Sequence, residues 1–125
     1  IKKGLQKKLK LGNMSAKRDW GHAKDHVNAM WLMVQQDTPG DYVIGTGVEN
    51  SVETFAKKAF DHVGLNYKDY VVIDQNLMRP AEVNTLLADS SKAKKILKWK
   101  PEVSFDDLVK GMVESDLEFV TNHGH

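Results

Sequence analysis

Apolar residues recur at intervals of three and four in three stretches of this chain, and each stretch predicts a helix. Ala23, Val27, Met30, Trp31 and Val34 share one helical face, giving a helix from about Ala23 to Gln36. The run Thr38-Pro39-Gly40-Asp41 breaks it. Val52, Phe55, Ala56, Ala59, Phe60 and Val63 form a second stripe, with Asn50 or Ser51 as the opening cap and Gly64 as the stop. Ser104 caps a last helix that turns Phe105, Leu108, Val109, Met112, Val113 and Leu117 inward. Its first turn holds Asp106 and Asp107, where the helix dipole favours negative charge. Between these, Asp89 or Ser90 can cap a short helix carrying Ala93, Ile96 and Leu97.

Two short runs have β character instead. Tyr42-Val43-Ile44, leading into Gly45-Thr46-Gly47, reads as a buried strand, and Tyr70 to Ile73 reads as the next one. A strand, a helix and a strand with short joints make a βαβ unit, which favours parallel pairing and a right-handed crossover. Pro80 holds Arg79 in extended geometry, so the segment around it is not helical. The expected fold is α/β, with about four helices and a short, mostly parallel sheet. Its strands are too few for a complete dinucleotide-binding sheet.

A length of 125 residues suits one domain. Hydrophobic residues at 41% and charged residues at 28% match folded chains rather than disordered ones. No apolar run nears the roughly 20 residues of a membrane span, which excludes that class of helical partner. The absence of cysteine leaves no disulfide or thiolate metal site and is compatible with the cytoplasm. The net charge of +1 conceals a basic opening: Lys2, Lys3, Lys7, Lys8, Lys10, Lys17 and Arg18 precede the first acid, Asp19. That opening reads as a solvated, helical face, because no aromatic residue is interleaved to stack on bases. A chain that starts with Ile1 inside such a run reads as a piece of a longer one.

Arginine usage is more informative. Sixteen lysines accompany only two arginines, Arg18 and Arg79, and both fall outside the helical stripes. A guanidinium is a planar fork that grips phosphate or carboxylate through two parallel bonds, which an ammonium cannot do. Each arginine alone reads as a structural ion pair, and the two together as a diphosphate clamp. His22 and His26 stand one helical turn apart, but no third ligand clusters with them, so no metal site is expected. His123 and His125 fall in an expected tail from about residue 121. Trp20, Trp31 and Trp99 are expected to anchor packing.

Leu11-Gly12-Asn13, then Ala16-Lys17-Arg18-Asp19-Trp20-Gly21-His22-Ala23-Lys24-Asp25, running into Ala29-Met30-Trp31-Leu32-Met33, closely resembles the signature of GDP-mannose 4,6-dehydratases. Arg79-Pro80-Ala81-Glu82-Val83, Lys92-Ala93-Lys94 and Trp99-Lys100-Pro101 match the same family in order and spacing. The resemblance implies the C-terminal substrate-binding domain of an extended short-chain dehydrogenase/reductase. In that family an N-terminal Rossmann domain binds NADP and carries the catalytic Tyr and Lys, and the full enzymes form dimers or tetramers. The implied reaction oxidises mannose at C4, expels water across C5 and C6, and returns hydride to C6.

None of that machinery stands in this sequence. No Gly-x-Gly-x-x-Gly joins a strand to a helix, and no Tyr is followed four positions on by Lys. The chain is therefore expected to hold no catalytic and no cofactor-binding residue. The resemblance instead places Arg18 and Arg79 on the diphosphate or nearby ribose of a GDP-sugar, Glu82 on ribose hydroxyls, and Leu11 in the wall beside the base. Asp19 is expected to orient Arg18 or tie down backbone rather than to move protons. Two other readings remain: a different nucleotide-sugar epimerase, dehydratase or reductase, and a non-catalytic module that binds anions or nucleic acid through its basic opening.

Overall fold

The computed structural model describes residues 1–123. Its elements in chain order are β1 (Leu9–Leu11), β2 (Lys17–Arg18), α1 (Ala23–Val34), β3 (Asn50–Ser51), α2 (Val52–His62), β4 (Val71–Ile73), α3 (Ser91–Ile96) and α4 (Phe105–His123), with 3-10 turns at Tyr67–Asp69 and Gln75–Leu77. Helices and short strands mix as an α/β fold requires, and four α-helices are present among the described residues.

The parallel pair is real, but its first partner differs from the expected one. β1 pairs with β4, Leu9 opposite Val71 and Leu11 opposite Ile73. The basic opening is thus not a helix: it makes turns and then enters a strand. Alternation in Leu9-Lys10-Leu11, with the two leucines half-buried and Lys10 exposed, is the period of a strand and outweighs the charge run. Tyr42–Ile44 is not a strand of either sheet, and the expected βαβ unit from Tyr42 to Ile73 does not form. β2 and β3 add a short antiparallel pair, Arg18 opposite Asn50.

Helix α2 follows its pattern closely. Ser51 accepts the Thr54 N–H at 3.0 Å as its cap, and Ala56 and Phe60 are buried. Gly64 closes it at φ +71, donating to Asp61, while Leu65 donates to Phe60. No atom lies within 4 Å of a Cβ built on Gly64, so only backbone conformation opposes a side chain there. Gly64→Ala is expected to cost about 1 kcal/mol, read as a shifted midpoint in urea unfolding.

The core lies between helices. α2 packs on α4, where Leu108 and Val109 are buried. Trp20, Phe55 and Phe105 form a second aromatic contact set, with centroids 5.2 to 5.8 Å apart. Ala29, Ala93, Leu97 and Trp99 make a third cluster, covered in part by Leu32, Met33, Tyr42 and Ile44. Met112, expected inward, is exposed, as is Ile96 of α3. α4 continues through His123, past the expected start of a tail, and His125 lies outside the described residues.

Helix α1 buries the side opposite its bulky stripe. Asp25 and Ala29 are its buried residues, with Leu32 and Met33 beside them. Val27, Met30, Trp31 and Val34, the stripe that predicts the helix, are 59–76% exposed. Ala29 of α1 and Ala93 of α3 are fully buried in one cluster with Leu97 and Trp99. Trp31 is accordingly no packing anchor among the described residues, whereas Trp99 at 2% exposure is one.

Candidate functional site

The segments that follow β1 and β4 meet at the carboxyl end of the parallel pair, the end where open α/β sheets present ligand crevices. Asp74 N–H donates to the Leu11 carbonyl at 2.8 Å, extending the pairing one residue past the strands. A Cβ built on Gly12 would stand 2.5 Å from the Leu77 carbonyl oxygen, so only glycine lets the 3-10 turn Gln75–Leu77 close over this end. Leu11, just before Gly12, is half-buried.

From the turn, the chain runs through Arg79 and Glu82 back to β2. Lys17 N–H donates to Asn84 at 2.7 Å, and Leu86 N–H donates to Lys17 at 3.2 Å. These bonds bring Glu82 against Arg18, from 64 positions away. Arg18 Nη2 donates to Glu82 Oε1 at 2.5 Å, and Nη1 donates to the Lys17 and Val83 carbonyls at 2.7 Å each. Three of the roughly five guanidinium donors are engaged within the protein, which leaves about two for a ligand. Both side chains are partly screened from water, at 24% and 20% exposure. Arg79 is exposed, three residues before Glu82 on the same loop, and makes no hydrogen bond or ion pair among the described residues. Arg18, Glu82 and Leu11 thus have defined positions, and Arg79 is available to something outside the fold.

Asp19, next to Arg18, holds the loop from its other end. Its Oδ1 accepts from Thr46 N–H at 2.9 Å and from Thr46 Oγ1 at 2.5 Å, and its Oδ2 from Gly47 N–H at 2.8 Å and Ala88 N–H at 3.3 Å. Burial pushes this carboxyl up, but the Thr46 hydroxyl and the Gly47, Thr46 and Ala88 amides outweigh it, leaving its pKa below 3.8. The expected backbone-tying role is what the geometry shows. The same bonds decide the fate of Gly45-Thr46-Gly47. Amides that could cradle a phosphate already hold a carboxylate, and a Cβ on Gly45 would lie 2.3 Å from Ala88 Cβ. Residues 1–123 therefore do not fit a dinucleotide at this glycine pair.

Other candidates resolve into structural roles. His22 caps α1, its Nδ1 accepting from Lys24 N–H at 3.0 Å, and His26 Nδ1 lies 3.1 Å from the His22 carbonyl. No cluster of three metal-binding side chains occurs among the described residues. Lys8, Lys10 and Lys17 of the basic opening reach Asp69 O, Asp74 and Glu49 respectively. No helix among the described residues is long and apolar enough to cross a membrane. Two residues carry more than their sequence context signalled. Buried Ser90 both accepts from Gly45 N–H and donates to its carbonyl, at 2.9 and 2.7 Å, instead of capping α3. Buried Asp25 accepts the Val103 N–H at 3.1 Å, tying the approach to α4 onto α1.

The profile of the GDP-mannose 4,6 dehydratase family matches residues 1–112. GDP-mannose 4,6 dehydratase 2 of Arabidopsis thaliana is 58% identical over 118 residues, covering 94% of this chain and 32% of its own. The human GDP-mannose 4,6 dehydratase is 46% identical, covering 88% and 34%. Among solved structures, RMD from Pseudomonas aeruginosa complexed with NADPH superposes with a TM-score of 0.81 at 23% identity, over 94% of this chain and 38% of its own. A Thermotoga maritima UDP-glucose 4-epimerase with UDP-glucose gives 0.80 at 26% identity, over 90% and 36%. This chain thus spans about a third of the length of the relatives it matches. With its Arg-Asp-Trp-Gly and Arg-Pro-Ala-Glu segments joined at one end of a parallel strand pair, the chain belongs to the GDP-mannose 4,6 dehydratase family.

Proposed function

We propose that this chain supplies the nucleotide-sugar grip of a GDP-mannose 4,6-dehydratase, a lyase acting on GDP-mannose. One observation carries the reading: folding brings the Arg18 fork and the Glu82 carboxylate to 2.5 Å, with exposed Arg79 three residues along the same loop. Arg79 offers a whole guanidinium to the diphosphate, and Arg18 adds its remaining donors. Glu82 uses Oε1 on Arg18, leaving Oε2 as an acceptor for a ribose hydroxyl. Leu11 contributes apolar wall at the strand end. NADP, expected from the family, would be held outside residues 1–123, because the Gly45-Thr46-Gly47 amides already serve Asp19.

UDP-sugar enzymes share this fold, so the fold alone does not choose the base; the sequence relatives favour GDP. Calorimetric titration of the chain with GDP, GDP-mannose and UDP tests the grip. Weak, GDP-selective binding without turnover is expected. Arg79→Lys should weaken it roughly 10-fold and Arg18→Lys at least as much, since charge survives but the fork does not. Unchanged GDP affinity in both variants would remove the clamp. A steep loss of RNA or DNA affinity with salt in its place would favour the anion-binding module.

A further inference from the structure

The two loops at the carboxyl end of the parallel pair are pinned together. A Cβ built on Gly12 would meet the Leu77 carbonyl oxygen at 2.5 Å and the Leu77 Cβ at 3.3 Å, so the loop after β1 lies directly against the turn after β4. Leu77 is nevertheless 51% exposed. A bulky apolar side chain is thus left open beside the strand end, next to the residue that follows Gly12.

That residue is Asn13, and its side chain is oriented by its own loop. Asn13 Oδ1 accepts from the Ser15 N–H at 3.0 Å and from the Ser15 hydroxyl at 2.7 Å. A backbone N–H can donate only to the oxygen of a carboxamide, so this turn settles which end of the amide is which. The other end, Nδ2, keeps both hydrogens. No group among the described residues accepts them, although Asn13 is half-buried. The acceptor is spent on the turn and the donor is presented.

We infer that Asn13 selects the base: its Nδ2 donates to the O6 and N7 edge of a 6-oxopurine whose face lies on Leu77. Guanine shows two acceptors on that edge. Adenine shows N7 beside an amino group, which meets Nδ2 donor against donor. A pyrimidine has no N7 and offers less to the same amide. The chain order suits a nucleoside diphosphate, because the segment from Gly12 to Arg18 carries first the donor for the base and then the fork for the phosphates. The inference rests on the nucleotide-grip reading and adds the choice of base, which the fold shared with UDP-sugar enzymes leaves open.

Calorimetric titration of the chain with GDP, IDP and ADP tests it. IDP shares O6 and N7 with guanine but lacks the 2-amino group, so it should bind within about 3-fold of GDP, and ADP at least about 10-fold more weakly. Asn13→Asp keeps an oxygen for Ser15 and removes the donor, so the circular dichroism should not change. Its added charge repels the diphosphate of every nucleotide alike, which makes the ratio of GDP to ADP affinity the readout. That ratio should fall from at least about 10 to about 1 or below. A ratio unchanged in Asn13→Asp overturns the inference. So does IDP binding as weakly as ADP, a result that needs no variant and stands even if Asn13→Asp does not fold. If Arg79→Lys weakens GDP while either of these results is found, the grip survives and only the base reader is wrong. A chain that binds none of the three nucleotides removes both.

Discussion

Trp99→Ala is expected to destabilise the chain by about 3–5 kcal/mol, the range for emptying a buried aromatic site. Trp99 is 2% exposed and is the largest side chain in the cluster of Ala29, Ala93 and Leu97. Small neighbours matter here. Alanines at 29 and 93 have no longer side chain to fold into the space the indole leaves, so the cavity would persist rather than collapse. The ring also holds a polar strut, since its Nε1 donates to the Asp25 carbonyl at 2.8 Å. Trp99→Phe keeps much of the volume and loses that bond, so about 1–2 kcal/mol is expected. Urea unfolding followed by circular dichroism measures both, and a Trp99→Ala cost below that of Trp99→Phe would contradict the packing account. With native stabilities of about 5–15 kcal/mol, that loss would remove a large share of the chain's stability.

Asp19→Asn is the second large effect, at about 2–3 kcal/mol, although it changes one atom. An amide oxygen can keep the Thr46 hydroxyl and N–H, but the new NH2 would then face the Gly47 and Ala88 N–H groups, donor against donor. The pH dependence gives an independent check. The folded pKa of Asp19 lies below its ordinary 3.8, so the stabilisation is complete above about pH 4 and is lost as pH falls through the lower, folded value. Asp74 and Asp89 are lowered too, by the Asn76 and Ser91 amides first of all. Stability of the Asp19→Asn variant should therefore fall less steeply below pH 4 than that of the parent, while some acid sensitivity remains. Identical acid limbs in a urea series from pH 5 to 2 would mean that Asp19 does not contribute.

What could be read from the sequence was whatever is local. α2 and α4 show their periodicity and caps within their own residues, and Ser51 and Gly64 do what their chemistry prescribes. The arginine and Glu82 segments were legible as fork donors and acceptor, but only the fold sets Glu82 on Arg18. Two errors share a cause. Trp31 is expected to anchor packing because bulky residues dominate a helical pattern, yet α1 turns Asp25 and Ala29 inward instead. Tyr42–Ile44 was assigned to a sheet because its residues favour one, but pairing needs a neighbour and β1 is already beside β4. Pattern reports which faces are apolar. It does not report which partner covers which face.

The Arg18–Glu82 contact bears on how a ligand would be received. Because Arg18 also fastens the Val83 carbonyl, the returning loop surrenders much of its conformational freedom when the chain folds and not when a nucleotide arrives. Association would then resemble entry into a prepared seat, with little change in heat capacity from segment ordering. Arg79 is the exception: its side-chain entropy is still to be lost, so the cost of capture would concentrate in one residue.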